Sequence, residues 1–207
     1  MGMKVDLYNF QDKISQNNIA IKTPWETNEW LRVMRIIIHN EKGQVLLTQN
    51  ALNAECFANK WDIGIMGLVQ SAENLLDAAS RICNEKLSIY MQASNLKFLY
   101  RYSEICVQNG QALKMHTQVA GCQVTGNKVH TDYIDYNILQ SLSWEDIGTL
   151  RDKILGKPEL YAYHSCHSLQ TSQRIAYWGK MMEIAKSHID AATSFTLLQD
   201  LQKLSRD

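Results

Sequence analysis

The chain has 207 residues, 45% of them apolar, and its 21 basic and 21 acidic side chains cancel. That length and composition fit one sizeable domain, or a domain with an appendage, able to bury a core. The balanced charge excludes a whole-chain electrostatic attraction to nucleic acid or an anionic membrane and leaves only local patches open. The five cysteines form no CxxC pair and are expected to be thiols in a reducing cytoplasm. The start, MGMKVDLYNF, has no apolar signal core, and Asp6 stands where a myristoylation signal needs Ser or Thr. No apolar run approaches the ~18 residues of a membrane helix, so a soluble cytoplasmic protein is expected.

Residues 1–29 are polar and mixed and read as an irregular lead-in or an edge strand. The β-branched run LRVMRIIIHN (31–40) and the run QVLLTQN (44–50) flank a Lys42-Gly43 turn, which predicts a β-hairpin. Residues 51–60 read as a loop, and Trp61 to Met66 as one short strand entering Gly67. From Glu73 to Leu87 the apolar residues fall at three- and four-residue intervals, predicting a helix with Ser71 as its N-cap. Segments 96–107 and 113–124 predict a second hairpin around Asn109-Gly110, and 129–139 a further strand. Ser143 and Asp146 resemble a capping box for a helix over 144–155, ended by Gly156 and Pro158. Beyond it, Ile175, Trp178, Met182, Ala185 and Ile189 make an amphipathic stripe, and Phe195, Leu198 and Leu204 a shorter one. These helices cap the core or, alternatively, form a homodimer face. Strands on both sides of a central helix, then a second helix, predict an α/β fold with sheet between helices.

One stretch carries chemistry. Gly67 is followed by Glu73, then Arg81, and then Ile82, Cys83, Asn84, Glu85, Lys86, Leu87, Ser88 and Ile89. This resembles the Nudix box, G-x5-E-x7-R-E-U-x-E-E-x-G-U with U a bulky aliphatic. The chain departs from it at Ile82 and Lys86, where the family has glutamates, and at Ser88, where it has glycine. IIIHNEKGQVLLTQ resembles the family's opening hairpin, and KWDIGIMG its Trp-containing strand before the box glycine. The resemblance implies a Nudix-type α/β/α sandwich with a mixed β-sheet over residues 30–157, preceded by the 1–29 lead-in and followed by C-terminal helices at 158–207. ALNAECFANKWDIGIMGLV also resembles the related isopentenyl-diphosphate isomerases. Met66 and Leu68 occupy the places of that family's catalytic Cys and metal-binding His, which argues against isomerase chemistry.

Nudix hydrolysis directs water onto a diphosphate and uses divalent metal to neutralise charge and orient that water. The resemblance implies Mg²⁺ or Mn²⁺ if the site is active and no cofactor otherwise. It assigns Glu85 and Arg81 to catalysis, and Glu85, Glu73 and the Gly67 carbonyl to metal. The three box glutamates at i, i+3 and i+4 would share one helical face. Here that face carries Ile82, Glu85 and Lys86, and its formal charge changes from −3 to 0. Lys86 reads either as an ammonium that meets a substrate phosphate directly or as a surface lysine left by a lost site. Arg81 reads as an orienting, phosphate-binding or purely structural residue, with Asp77 placed for a salt-bridge ladder with Glu73 and Arg81. Glu104, Asp132 and Asp135 are surface carboxylates or substitute ligands. His164, Cys166 and His167 match no zinc pattern and read as a turn. Three functions stay open: a divergent hydrolase of nucleoside diphosphates linked to another group, a binder of a nucleotide or other diphosphate, and an interaction scaffold.

Overall fold

The computed structural model describes residues 2–108, 110–125, 129 and 134–161; the expected C-terminal helices and the His164–His167 cluster lie outside these. The strands are β1 (Met3–Tyr8), β2 (Ile14–Ile21), β3 (Trp30–Asn40), β4 (Gln44–Asn50), β5 (Trp61–Ile63), β6 (Ile65–Leu68), β7 (Leu96–Gln108), β8 (Gln111–Val124) and β9 (Leu139–Asp146). The helices are α1 (Leu75–Leu87) and α2 (Ile147–Gly156). Among the described residues the nine strands form one mixed sheet, parallel only where β3 runs beside β8.

β3 explains the architecture. Its unbroken apolar run belongs to a strand covered on both faces. Met34, Ile36 and Ile38 point one way and pack with Ala79, Ile82, Cys83 and Leu87 of α1. Ile37, on the opposite face by strand alternation, packs with Leu150 and Ile154 of α2. The sheet therefore lies between two helices, as the α/β/α expectation requires. Leu31 and Val33 bury a third cluster with Val5, Leu7 and Ile21.

The expected hairpin of β3 and β4 forms, but as a fork. Gly43 turns it at φ 76°, and Asn40 Oδ1 accepts the Lys42 and Gln44 N–H groups. Paired contact between the two strands is confined to His39 opposite Val45. They then diverge, β3 to β6 and β8, β4 to β5 and β9. The WDIGIM stretch bridges the fork and is two strands, not one. Gly64 divides it at φ 68°, where an added Cβ would fall 2.0 Å from the Ile36 carbonyl oxygen. The Gly64 N–H donates to Leu46 O at 2.8 Å, and β5 pairs with β4 while β6 pairs with β3.

Four expectations need correction. Of the two readings of residues 1–29 the edge strand holds and the irregular lead-in does not: residues 3–21 form a hairpin, β1 with β2 at the sheet edge, because Val5, Leu7 and Ile21 have a cluster to bury into. α1 starts at Asn74, whose side chain accepts the Leu76 and Asp77 N–H groups, and not at Ser71. Of the strand expected at 129–139, residues 130–133 lie outside the described residues and 134–138 are not strand; β9 runs from Leu139 to Asp146 along β4, so Ser143 is a strand residue. Asp146 alone caps α2, accepting from Gly148 and Thr149 N–H. Among the described residues no helix is long and apolar enough to cross a membrane.

Candidate functional site

The box begins where β6 leaves the sheet. Val69 N–H donates to Arg32 O and Ser71 N–H to Lys4 O, both at 2.9 Å, while Ser71 Oγ donates to Asp6 Oδ1 at 2.6 Å. The loop is thereby tied to both β1 and β3. Arg81 closes it from the helix side. Its Nε and Nη2 donate to the two Glu73 oxygens at 2.7 and 2.8 Å, and Nη2 also reaches Leu68 O at 2.8 Å. Glu73 Oε2 accepts the Gln70 N–H at 2.9 Å as well. Burial pushes the Glu73 carboxyl up, but the bonds from Arg81 and Gln70 outweigh it and hold the group below its ordinary range. Hydrogen bonding to Glu73 likewise raises Arg81. Asp77 takes no part: it accepts from Asn74 Nδ2 at 2.6 Å, so the ladder runs Glu73–Arg81–Glu85 instead.

The helical face that would carry three glutamates is divided among three environments. Ile82 is 1% exposed and belongs to the core beneath the sheet. It lies so close to Gly67 that a Cβ there would fall 2.7 Å from Ile82 Cγ1. Glu85 stays about half exposed, in an i,i+4 ion pair with Arg81 at 3.0 Å. Lys86 turns into a cleft of about 490 Å³ shared with Thr48, Cys56, Asp62 and Met66. It keeps some open surface because the cleft is open, yet protein surrounds it and burial lowers its affinity for a proton; Asp62 partly offsets this. Within the described residues its ammonium takes up no ion pair. It is thus not a solvated surface lysine.

Beneath the cleft lies a feature the sequence reading did not single out. Arg35 on β3 is fully buried and donates through Nη1 to Asp62 Oδ1 at 2.7 Å. The same Nη1 reaches Ile63 O at 3.3 Å, and Nη2 reaches Met66 Sδ at 3.1 Å. The signal was present: an arginine inside the apolar run RVMRIIIH and an aspartate inside WDIGI are charges on two strands that must be buried. Cys56, on the cleft loop, is no ready nucleophile, because burial and then Glu55 push its thiol up to about 11. Cys83 and Cys122 are buried free thiols, in line with the thiol expectation for these positions.

A hard divalent cation needs several oxygen ligands. Among the described residues no three His, Cys, Asp or Glu side chains come together closely enough to hold one. Glu73 spends both oxygens on Arg81 and Gln70, Glu85 is paired, and Gly67 sits in β6 opposite Met34. Of the substitute ligands, Glu104 accepts Thr117 Oγ1 and Asp135 accepts Asn137, while Asp132 lies outside the described residues. The residues present do not fit the metal that the box resemblance implies.

Comparison with known proteins agrees with the fold. An uncharacterised Nudix hydrolase of Listeria monocytogenes is 34% identical over 74 residues, 35% of this chain and 44% of that protein. A Nudix hydrolase of Deinococcus radiodurans is 27% identical over 100 residues, 48% of this chain and 58% of that protein. The chain spans about half the length of the curated relatives it matches. A crystal structure from D. radiodurans superposes with a TM-score of 0.60 at 22% identity, covering 74% of this chain and 89% of that one. The MutT protein of Methanosarcina mazei gives 0.52 at 22% identity, covering 73% and 94%. Both likenesses concern the fold alone. The family model for the NUDIX domain matches residues 30–163, more than half of the sequence, and the chain belongs to the NUDIX domain family.

Proposed function

We propose that this Nudix domain binds an anionic small molecule, a nucleotide or another diphosphate, in the cleft at Lys86, and that the metal-dependent hydrolysis of its family is impaired or lost. The observation that carries the reading is the fate of the box face: position 82 is core, position 85 is paired, and position 86 presents a cation to the cleft. A Lys86 ammonium would repel Mg²⁺ or Mn²⁺ at that position and attract a phosphate oxygen, as a point charge with donors that rotate to suit. The Glu73–Arg81 pair holds the loop and helix in register without touching ligand. The Arg35–Asp62 pair settles the charge of the cleft floor. Without the metal, the chemistry that acidifies and aims a water is not supplied.

The test is thermal-shift and calorimetric titration of the full chain with ADP and pyrophosphate, with and without Mg²⁺, alongside a phosphate-release assay. A ligand at 100 times its Kd stabilises the fold by about 2.7 kcal/mol. The expected result is a shift that needs no Mg²⁺, yields no phosphate and is lost in Lys86→Gln. Mg²⁺-dependent phosphate release by the unmodified chain would return the protein to the hydrolases. No shift with either compound would leave the scaffold reading.

A further inference from the structure

The cleft has two unlike ends, and one is supplied by residues outside the family match. Met3 and Pro24 line it, although the match begins at residue 30. The segment that carries them is fixed in place. Leu7 and Tyr8 pair with Leu31 and Trp30, and Val5, Leu7 and Ile21 pack with Val33, Leu113 and Met115. Ser71 N–H bonds Lys4 O on the box side, and Trp25 Nε1 donates to Glu55 O at 3.3 Å on the side of the 51–60 loop. The result is a braced apolar wall of thioethers and branched aliphatics: Met3, Pro24, Val33, Leu68, Leu113 and Met115.

The charged end lies farther along β3. Met115 is opposite Leu31, and Arg35, partner of Asp62, lies four residues further on. At ~3.3 Å per residue that puts Arg35 about 13 Å along the strand from Leu31, the partner of Met115, and about 7 Å from the wall residue Val33. Among the described lining residues Lys86 is the only cation; Asp62 is neutralised by Arg35, and the other lining carboxylate, Glu55, stands on the 51–60 loop. The sole aromatic among them, Phe57, is packed into the same cluster as Val33, Leu113 and Met115, and the rest of the apolar lining is aliphatic or sulfur-bearing. Unbranched thioethers conform to an aliphatic chain more readily than to a flat polar ring. A volume of about 490 Å³ is ample for such a ligand.

We propose that the cleft takes an amphiphilic anion, an aliphatic chain ending in a phosphate-type head, with the head at Lys86 and the chain along the wall completed by Met3 and Pro24. The charged half of this rests on the anion-binding reading above. The apolar half is independent of it and makes the N-terminal hairpin a determinant of specificity.

Calorimetric titration of the full chain with methyl phosphate, octyl phosphate and ADP separates the two halves. Octyl phosphate is expected to bind at least about tenfold tighter than methyl phosphate, since burying only two methylenes supplies that much. Lys86→Gln weakens both. Met3→Glu weakens octyl phosphate alone, and Pro24→Glu, outside any strand, does the same should Met3→Glu disturb β1. Equal affinity for the octyl and methyl compounds, a ratio preserved in both wall variants, or ADP binding tighter than octyl phosphate overturns the amphiphile inference and leaves Lys86 as an anion contact. Methyl phosphate binding that ignores Lys86→Gln, or no binding by any of the three, overturns the anion reading and this inference with it.

Discussion

Position 82 belongs to the core, and its contact with Gly67 sets the size of the effect. Ile82 is 1% exposed and walled in by Met34, Val69, Ala79 and Cys83, so it has no room to retreat. An alanine at 67 would place its methyl 2.7 and 2.9 Å from Ile82 Cγ1 and Cδ1, well inside van der Waals contact. Gly67 has no positive φ, so the cost of Gly67→Ala is packing rather than backbone strain, and overpacking of this kind is worth about 1–3 kcal/mol. Ile82→Ala removes three buried carbons, roughly 2.4 kcal/mol of transfer free energy, plus a cavity term that brings the total to about 2–5 kcal/mol. In the double variant the new methyl lies where those carbons were. The clash disappears and part of the cavity is filled, so the double should be less destabilised than the sum of the singles by about 2 kcal/mol, within the range known for contacting pairs. Urea unfolding of the four proteins, read with m held constant, measures the cycle. Additivity within about 0.5 kcal/mol would mean that Ile82 does not fill the space over Gly67, and the account of the lost carboxylate face would go with it.

Two further outcomes follow from the same helix. Lys86→Met should raise stability by about 1 kcal/mol, because it removes a desolvated ammonium that has no ion-pair partner among the described residues while keeping the apolar stem; a loss of stability in denaturant titration would show that the ammonium is well satisfied. Glu73→Gln should lower stability by about 2 kcal/mol near neutral pH by leaving Arg81 without its carboxylate. Since the folded chain holds Glu73 below its ordinary value of 4.5, that contribution is fully present above that value and fades as pH falls below it, so the gap between the two proteins should be constant near neutral pH and narrow only in acid. A gap independent of pH would assign the effect to packing.

The elements that were legible in the sequence are those in which local pattern and tertiary context agree. The two hairpin turns at Gly43 and Gly110, the box helix and the strands β3 and β4 all appear where periodicity and turn residues place them. What misled was capping chemistry. Ser71 and Ser143 are good cap residues in isolation, but Ser71 is claimed by Asp6 of β1 and Ser143 by the ladder with β4, which leaves Asn74 and Asp146 to cap. The box glutamate losses were plain from spacing alone. Their consequence was not, because spacing puts Lys86 on a helical face without saying that the face meets a cleft. Met3 and Pro24 were out of reach for a related reason: their distance in sequence from Lys86 conceals a shared cavity that only the β1–β3 pairing creates.

The fork of β3 and β4, bridged at Gly64, has a consequence for how such a protein can change. The cavity exists because two strands joined by a tight turn part company, and main-chain ladders hold them apart. Its frame is therefore set largely by main-chain pairing, with Gly64 as the position that tolerates no side chain, whereas its chemistry is set by a few side chains on the rim. Changes along one turn of α1 can therefore alter the lining while the vessel itself is handed on intact.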